Sequence, residues 1–199
     1  MRTRARPYHH GDLRAALVER AEQTLREKGP AALSLRELAR DLDVSHAAPS
    51  RHFKDKQALL DALAVTGFER LADNIAAALE RAGESFGQRL DAVVRAYVGF
   101  ATANAALLEL MYAVKHDPQA SPALAIAIQR WSGQIIDLID SGQHRGEVRP
   151  GPVELVALSV FATLHGYTGL AVSGMLPPPM AGDELDDVIA YILRGSAPE

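Results

Sequence analysis

From Leu13 almost to its end, the chain repeats apolar residues at three- and four-residue spacing, and Gly and Pro punctuate that rhythm. The period matches the 3.6-residue turn of a helix, and no alternation of period two persists long enough to build a strand. Ala, Leu, Arg and Glu, all good helix formers, dominate the composition. The spacing therefore predicts an all-α fold of about nine helices. The first spans about residues 12–28, with Leu13, Leu17, Val18, Ala21 and Leu25 on one face, and stops at Gly29-Pro30. The second opens at Ser34, where Ser34-Leu35-Arg36-Glu37 fits a capping box: the hydroxyl accepts a free backbone N–H and Glu37 reaches back to the cap. A short third helix is expected over 46–53, and a long fourth over 56–82 carries Leu59, Leu60, Leu63, Phe68, Leu71, Ile75 and Leu79.

Five more helices follow on the same reasoning. They cover about 87–103, 104–115 with Asn104 as its cap, 122–141, 153–175 and 183–193. The 153–175 segment is the most apolar in the chain, and Pro177-Pro178-Pro179 breaks the helix after it. Neither an internal repeat nor a low-complexity tract is visible.

A chain of 199 residues has room for one good core or two small ones. Its 48% hydrophobic and 23% charged content is that of an ordinary soluble protein. The longest apolar run, around 155–164, contains Ser159 and Thr163 and falls short of the roughly 20 residues a membrane helix needs, so no membrane partner is expected. Arg2, Arg4 and Arg6 make a basic start, but His9, His10, Asp12 and Arg14 stand where a signal peptide would be apolar. The absence of cysteine excludes disulfides, zinc-thiolate sites and thiol nucleophiles. The expected location is the cytoplasm.

Charge is unevenly distributed. Through Lys56 there are 12 Arg and Lys against 8 Asp and Glu, a net of +4; the remainder has 9 against 17, a net of -8. A basic front and an acidic back fit a chain that presents only its front to a polyanion.

The segment 35–53 concentrates the functional signal. Two helices joined by a tight turn need a small residue where they cross, and Ala39 is small. Leu38, Leu42 and Val44 can close the pair onto a third helix, and Ser45 can cap the second of the two. His46, Ala47, Ser50 and Arg51 then project outward, short and polar enough to enter a DNA major groove. A generic helical hairpin would show much of the same pattern.

The portion from Gly11 to Leu60 resembles the DNA-binding domain of TetR-family transcriptional regulators. The matching strings are Glu27-Lys28-Gly29, Leu33-Ser34-Leu35-Arg36-Glu37-Leu38-Ala39, Val44-Ser45-His46-Ala47-Ala48-Pro49 and Arg51-His52-Phe53-Lys54-Asp55-Lys56-Gln57-Ala58-Leu59-Leu60. Further on, Phe161-Ala162-Thr163-Leu164-His165-Gly166 is similar to the Trp-x-x-x-His-Gly signature of one TetR-type regulatory domain, with Phe in place of Trp. Two positions depart from the family pattern. Ser50 stands where Tyr is usual, which shortens one backbone contact, and Asp43 stands where the turn usually has Gly.

The resemblance implies a helix-turn-helix DNA-binding domain over 1–56, with a basic arm at 1–10, and a helical effector-binding and dimerisation domain over 57–199. The DNA-facing candidates are Ser34, Arg36, Ser45, His46, Ser50, Arg51, His52 and Lys56. Ser34, His52 and Lys56 are assigned to the phosphate backbone, while His46, Ser50 and Arg51 are placed to meet base edges. Phe53 is assigned to the core. The last two helices are the expected homodimer surface, the penultimate one offering Ala157, Ala162, Gly166, Gly169 and Ala171 for close approach.

Phe100, Met111, Tyr112, Trp131, Phe161, His165 and Tyr167 are candidates for an effector pocket, each with plain core as its competing role. Few aromatics and no cationic cluster favour a small apolar or neutral effector. The implied function is a repressor released from a palindromic double-stranded operator by a small molecule.

An enzyme is the first competing reading. The chain has no Gly-rich phosphate loop, no His-Glu-x-x-His helix and no Gly-x-Ser-x-Gly elbow, and its histidines lie in different elements. No catalytic residue, metal site or cofactor is expected. A helical partner-binding module that no longer reads DNA is the second alternative, to which Ser50 and Asp43 give some weight.

Overall fold

The computed structural model describes residues 13–118, 120–176 and 184–198. Among these residues there are eight α-helices, two short 3-10 turns and no strand: α1 (Leu13–Lys28), a turn at Pro30–Ala32, α2 (Leu35–Asp41), a turn at Pro49–Arg51, α3 (Lys56–Arg81), α4 (Phe86–Ala103), α5 (Ala105–Val114), α6 (Pro122–His144), α7 (Val153–Val172) and α8 (Glu184–Ser196). The all-α expectation holds, with eight helices rather than nine. The basic arm at 1–10 and Pro177-Pro178-Pro179 lie outside the described residues.

The ninth helix is lost at the expected 46–53 segment, and Pro49 is the reason. Proline has no N–H to give the Ser45 carbonyl, which instead accepts from Ala48 N–H at 2.9 Å. Arg51 N–H then reaches Ala48 O at 3.2 Å and His52 N–H reaches Pro49 O at 2.9 Å, both i to i+3 closures. The segment is a turn followed by a 3-10 turn, not an α-helix.

Two caps also differ from expectation. Ser34 is the N-cap of α2 in extended conformation, but its side chain makes no capping bond. Glu37 lies 3.6 Å from Arg40 instead of reaching back to the cap. The capping box sits at α4, where Ser85 Oγ accepts from Gln88 N–H and Gln88 Oε1 accepts from Ser85 N–H. Asn104 serves α4 rather than α5: it is the C-cap residue, its Nδ2 donates to Phe100 O at 2.8 Å and its Oδ1 accepts from Arg70 at 3.0 Å.

The chain divides into two compact units, the first made of residues up to Gly67 with Ala106–Leu124, the second of Phe68–Ala105 with Ala125–Glu199. Helix α3 contributes to both. In the first unit Leu17, Ala21 and Leu25 of α1, Leu38 and Ala39 of α2, and Phe53, Leu59 and Leu63 are almost wholly buried. Each large side chain among them contributes about 1.5–3 kcal/mol by leaving water. From α5 and the start of α6, Leu107, Met111 and Leu124 join the unit's core. Gln57 Nε2 donates to Asp117 at 2.8 Å, and Ser121 N–H donates to Asp61 at 2.9 Å. Ser121 Oγ in turn accepts from Leu124 N–H, as an N-cap side chain does.

The second unit buries Phe68, Leu71 and Ile75 of α3, Leu90, Val93, Tyr97 and Phe100 of α4, Trp131 and Ile139 of α6, and Val156, Val160 and Leu164 of α7. Helices α4, α7 and α8 contact one another. By length and composition α7 could cross a bilayer, the one helix among the described residues that could; 28% of its most apolar window is buried. The core helix of a soluble protein has the same length and composition, so the sequence expectation is unchanged. Ser159 and Thr163 interrupt the run but send their hydroxyls to Leu155 O (3.1 Å) and Ser159 O (2.9 Å), so they cost the helix little.

Candidate nucleic-acid interface and effector cavity

The helix-turn-helix segment lies where the apolar pattern placed it, with α2 as its first helix and the 3-10 turn Pro49–Arg51 in place of its second. Ala39 and Leu38 are buried on α2, and the turn that follows is closed by Val44 N–H to Ala39 O at 2.9 Å and Asp43 N–H to Arg40 O at 3.2 Å. Asp43 takes the left-handed conformation the turn requires, with φ of 54°. A short Asp tolerates that region better than a branched side chain, which explains how the turn survives without Gly.

Burial of the apolar residues leaves the polar ones outside. Arg36, Ser45, His46, Ser50, Arg51, His52 and Lys56 are exposed, and Ser34 is half-buried at the start of α2. Phe53 is buried, as expected, with the Arg14 guanidinium 5.4 Å from its ring centroid. Lys56 Nζ donates to Pro30 O at 2.8 Å and to Ala31 O at 3.4 Å, so this cation is held against the turn before α2. Arg20 and Asp41 tie α1 to α2 at 2.8 Å, and the guanidinium holds the Asp41 carboxyl below its usual range.

The effector candidates scatter. Trp131 and Phe161 line an apolar cavity of about 20 Å³ together with Ile75, Leu90, Val93, Tyr97, Ile135, Leu138, Ile139, Val160 and Leu164. Phe100 lines instead an open groove of about 830 Å³ along α3 and α4, over Ala77, Ala78, Ala92 and Ala96 and beside Arg81 and Arg95. His165 is exposed; it stacks on Phe161 with centroids 5.5 Å apart and lies 3.3 Å from the Tyr97 hydroxyl. Tyr167 is half-buried, and burial first, then Glu184, pushes its hydroxyl pKa up. Met111 and Tyr112 belong to the first unit, where Met111 meets Gly67 and Tyr112 carries Lys115 Nζ 4.6 Å from its ring centroid.

Phe161 is the centre of an aromatic cluster in the second unit. It meets Trp131 edge-on at 5.4 Å and Tyr97 edge-on at 6.3 Å, and Trp131 meets Phe68 at 5.8 Å. The sequence pattern did not single out Tyr97, which lies seven residues after Leu90 on one face of α4.

Comparison with known proteins agrees with this architecture. A profile described as "Bacterial regulatory proteins, tetR family" matches residues 17–63. A second, "Tetracyclin repressor-like, C-terminal domain", matches residues 90–195, more than half of the chain. The chain belongs to the TetR family. An HTH-type transcriptional regulator of Mycobacterium tuberculosis is 30% identical over 140 residues, covering 69% of this chain, and one from Mycobacterium bovis matches equally. The chain spans about 60% of the length of these curated relatives. Among solved structures, a protein of unknown function from Rhodococcus sp. RHA1 is 43% identical with a TM-score of 0.85, covering 97% of this chain and 100% of its own. A putative tetR family transcription regulator from Shewanella sp. PV-4, 23% identical over 92% of this chain and 97% of its own, shares the fold at a TM-score of 0.72. TetR proteins are a family of DNA-binding regulators rather than of enzymes, so the catalytic alternative falls away.

Proposed function

We propose that this TetR-family chain is a cytoplasmic, homodimeric transcriptional repressor that leaves a palindromic operator when a small effector binds. The exposed row Arg36, Ser45, His46, Ser50, Arg51 and Lys56 around a buried helix-turn-helix core carries the DNA reading. Residues 1–56 act as the DNA-binding domain and 57–199 as the effector-binding and dimerisation domain. Lys56, Ser34 and His52 anchor phosphates, while His46, Ser50 and Arg51 face base edges.

Dimerisation uses α7 and α8. Leu155, Leu158, Leu170, Val172 and Tyr191 are exposed there, and Gly166 and Gly169 have open space where a Cβ would stand. An apolar helical face with small residues is suited to a second copy of itself, and pairing also doubles the DNA footprint. Effector binding in the second unit moves α3, which changes the spacing of the two reading segments.

Fluorescence anisotropy on a palindrome from the chain's own promoter region tests the reading. Arg51→Ala should relax base preference by about 1–3 kcal/mol at one position, and Lys56→Met should weaken all DNA alike and lower the salt slope by about one. Intact operator binding in both variants, or equal affinity with and without saturating effector, would overturn it.

A further inference from the structure

Arg14 stands in the first turn of α1, a turn with no acidic residue. The positive end of the helix dipole disfavours a cation at that place. No neighbour compensates, because Arg14 joins none of the ion pairs among the described residues. The side chain is nevertheless held. Its exposed guanidinium lies 5.4 Å from the ring centroid of Phe53, which is only 2% exposed and so is fixed by the core. Phe53 directly follows His52, and α1 itself packs on the turn Pro49–Arg51. A cation set against its own helix dipole, unpaired, and pinned beside the reading segment is arranged for a negative charge that the free protein lacks. Position 14 also precedes residues 17–63, which the family profile matches, so that profile gives it no role.

We propose that Arg14 is a further operator contact, its guanidinium gripping a backbone phosphate while Phe53 acts as the platform that positions it. This rests on the DNA reading above and adds a residue outside the helix-turn-helix. A guanidinium over a ring keeps N–H groups for phosphate oxygens, which it binds through two of them at once. The ring also orders the long side chain before DNA arrives, which lowers the entropy cost of the contact. A phosphate at this place reverses the mismatch with the α1 dipole. Because phosphates carry no base identity, the contact strengthens binding to every duplex and selects none.

The test measures binding of the full chain to the palindrome and to an unrelated duplex over a series of salt concentrations. Arg14→Gln should weaken both duplexes alike, about tenfold, and lower the slope of log K against log salt by about 0.9 for each subunit bound. Arg14→Lys, which keeps the charge, should retain the wild-type slope. Circular dichroism melts of both free variants should stay close to wild type, since Arg14 is exposed and joins no ion pair among the described residues. An unchanged slope in Arg14→Gln, a slope that falls as far in Arg14→Lys, or a loss confined to the palindrome would each overturn the proposal. Lys56→Met separates this contact from the reading it rests on. If that variant lowers the slope and Arg14→Gln does not, the DNA reading stands and the Arg14 contact falls; a wild type with no salt-dependent binding sinks both.

Discussion

The Arg20 guanidinium closes on a single oxygen of Asp41, with Nε at 3.0 Å and Nη2 at 2.8 Å, and so fastens α1 to the last residue of α2. Both side chains are about a quarter exposed, which keeps the contribution near that of a surface pair, about 0.2–1 kcal/mol. The carboxyl is held below its usual pKa by Arg20, so the stabilisation is complete above the unfolded value near 3.9 and is lost as pH falls through the lowered folded value. Urea titrations of wild type and Arg20→Met should therefore differ at pH 7 and begin to converge as pH falls below the unfolded value, the gap closing only beneath the lowered folded value. A gap that widened in acid would contradict this.

Asp43 at φ of 54° is the one non-glycine residue with positive φ among the described residues. Asp43→Ala should cost about 1 kcal/mol, since the left-handed region penalises a Cβ that has no compensating polar group. Asp43→Gly should stay within about 0.5 kcal/mol of wild type, because relief of the turn is offset by the entropy glycine adds to the unfolded chain. Thermal melts of the two variants check the order, and Ala equal to Gly would count against a strained turn.

Gly67 leaves no room for a side chain. A Cβ there would stand 2.5 Å from Met111 Sδ and 2.9 Å from its Cγ, and Met111 is fully buried. Gly67→Ala should cost about 1–3 kcal/mol by overpacking, and Met111→Ala about 2–5 kcal/mol by leaving a cavity. Combined, the two should cost clearly less than their sum, measured as a double-mutant cycle in urea. Simple additivity would mean the contact is not the cause.

Leu158 on α7 is 60% exposed. On the proposed pairing through α7 and α8, the wild type should sediment as a dimer at micromolar concentration and Leu158→Glu as a monomer without loss of helicity, and operator affinity should fall with it. A variant that stays dimeric would place the interface elsewhere.

Much of this was legible in the order of residues. Helix positions followed from apolar spacing, and Gly29, with φ of 76°, ends α1 where the sequence placed the stop. Local reasoning failed where a local option competed with another contact. Ser34 caps by position but not by hydroxyl, while Asn104, legible as a cap, closes the helix before it rather than the one after. Pro49 could have warned against a third α-helix, since the missing N–H is a property of the residue alone.

Periodicity and punctuation, being local, were enough for an all-helical chain with a helix-turn-helix at its front and an apolar penultimate helix. Which faces meet is another matter, because any apolar stripe can pack on any other. Only the tertiary structure put Arg20 on Asp41, Tyr97 beside His165 sixty-eight positions away, and Met111 in a different unit from Trp131. It alone left Trp131 Nε1 and Gln134 Oε1 buried and unpaired, since whether a polar atom finds a partner depends on what the packing brings within about 3 Å.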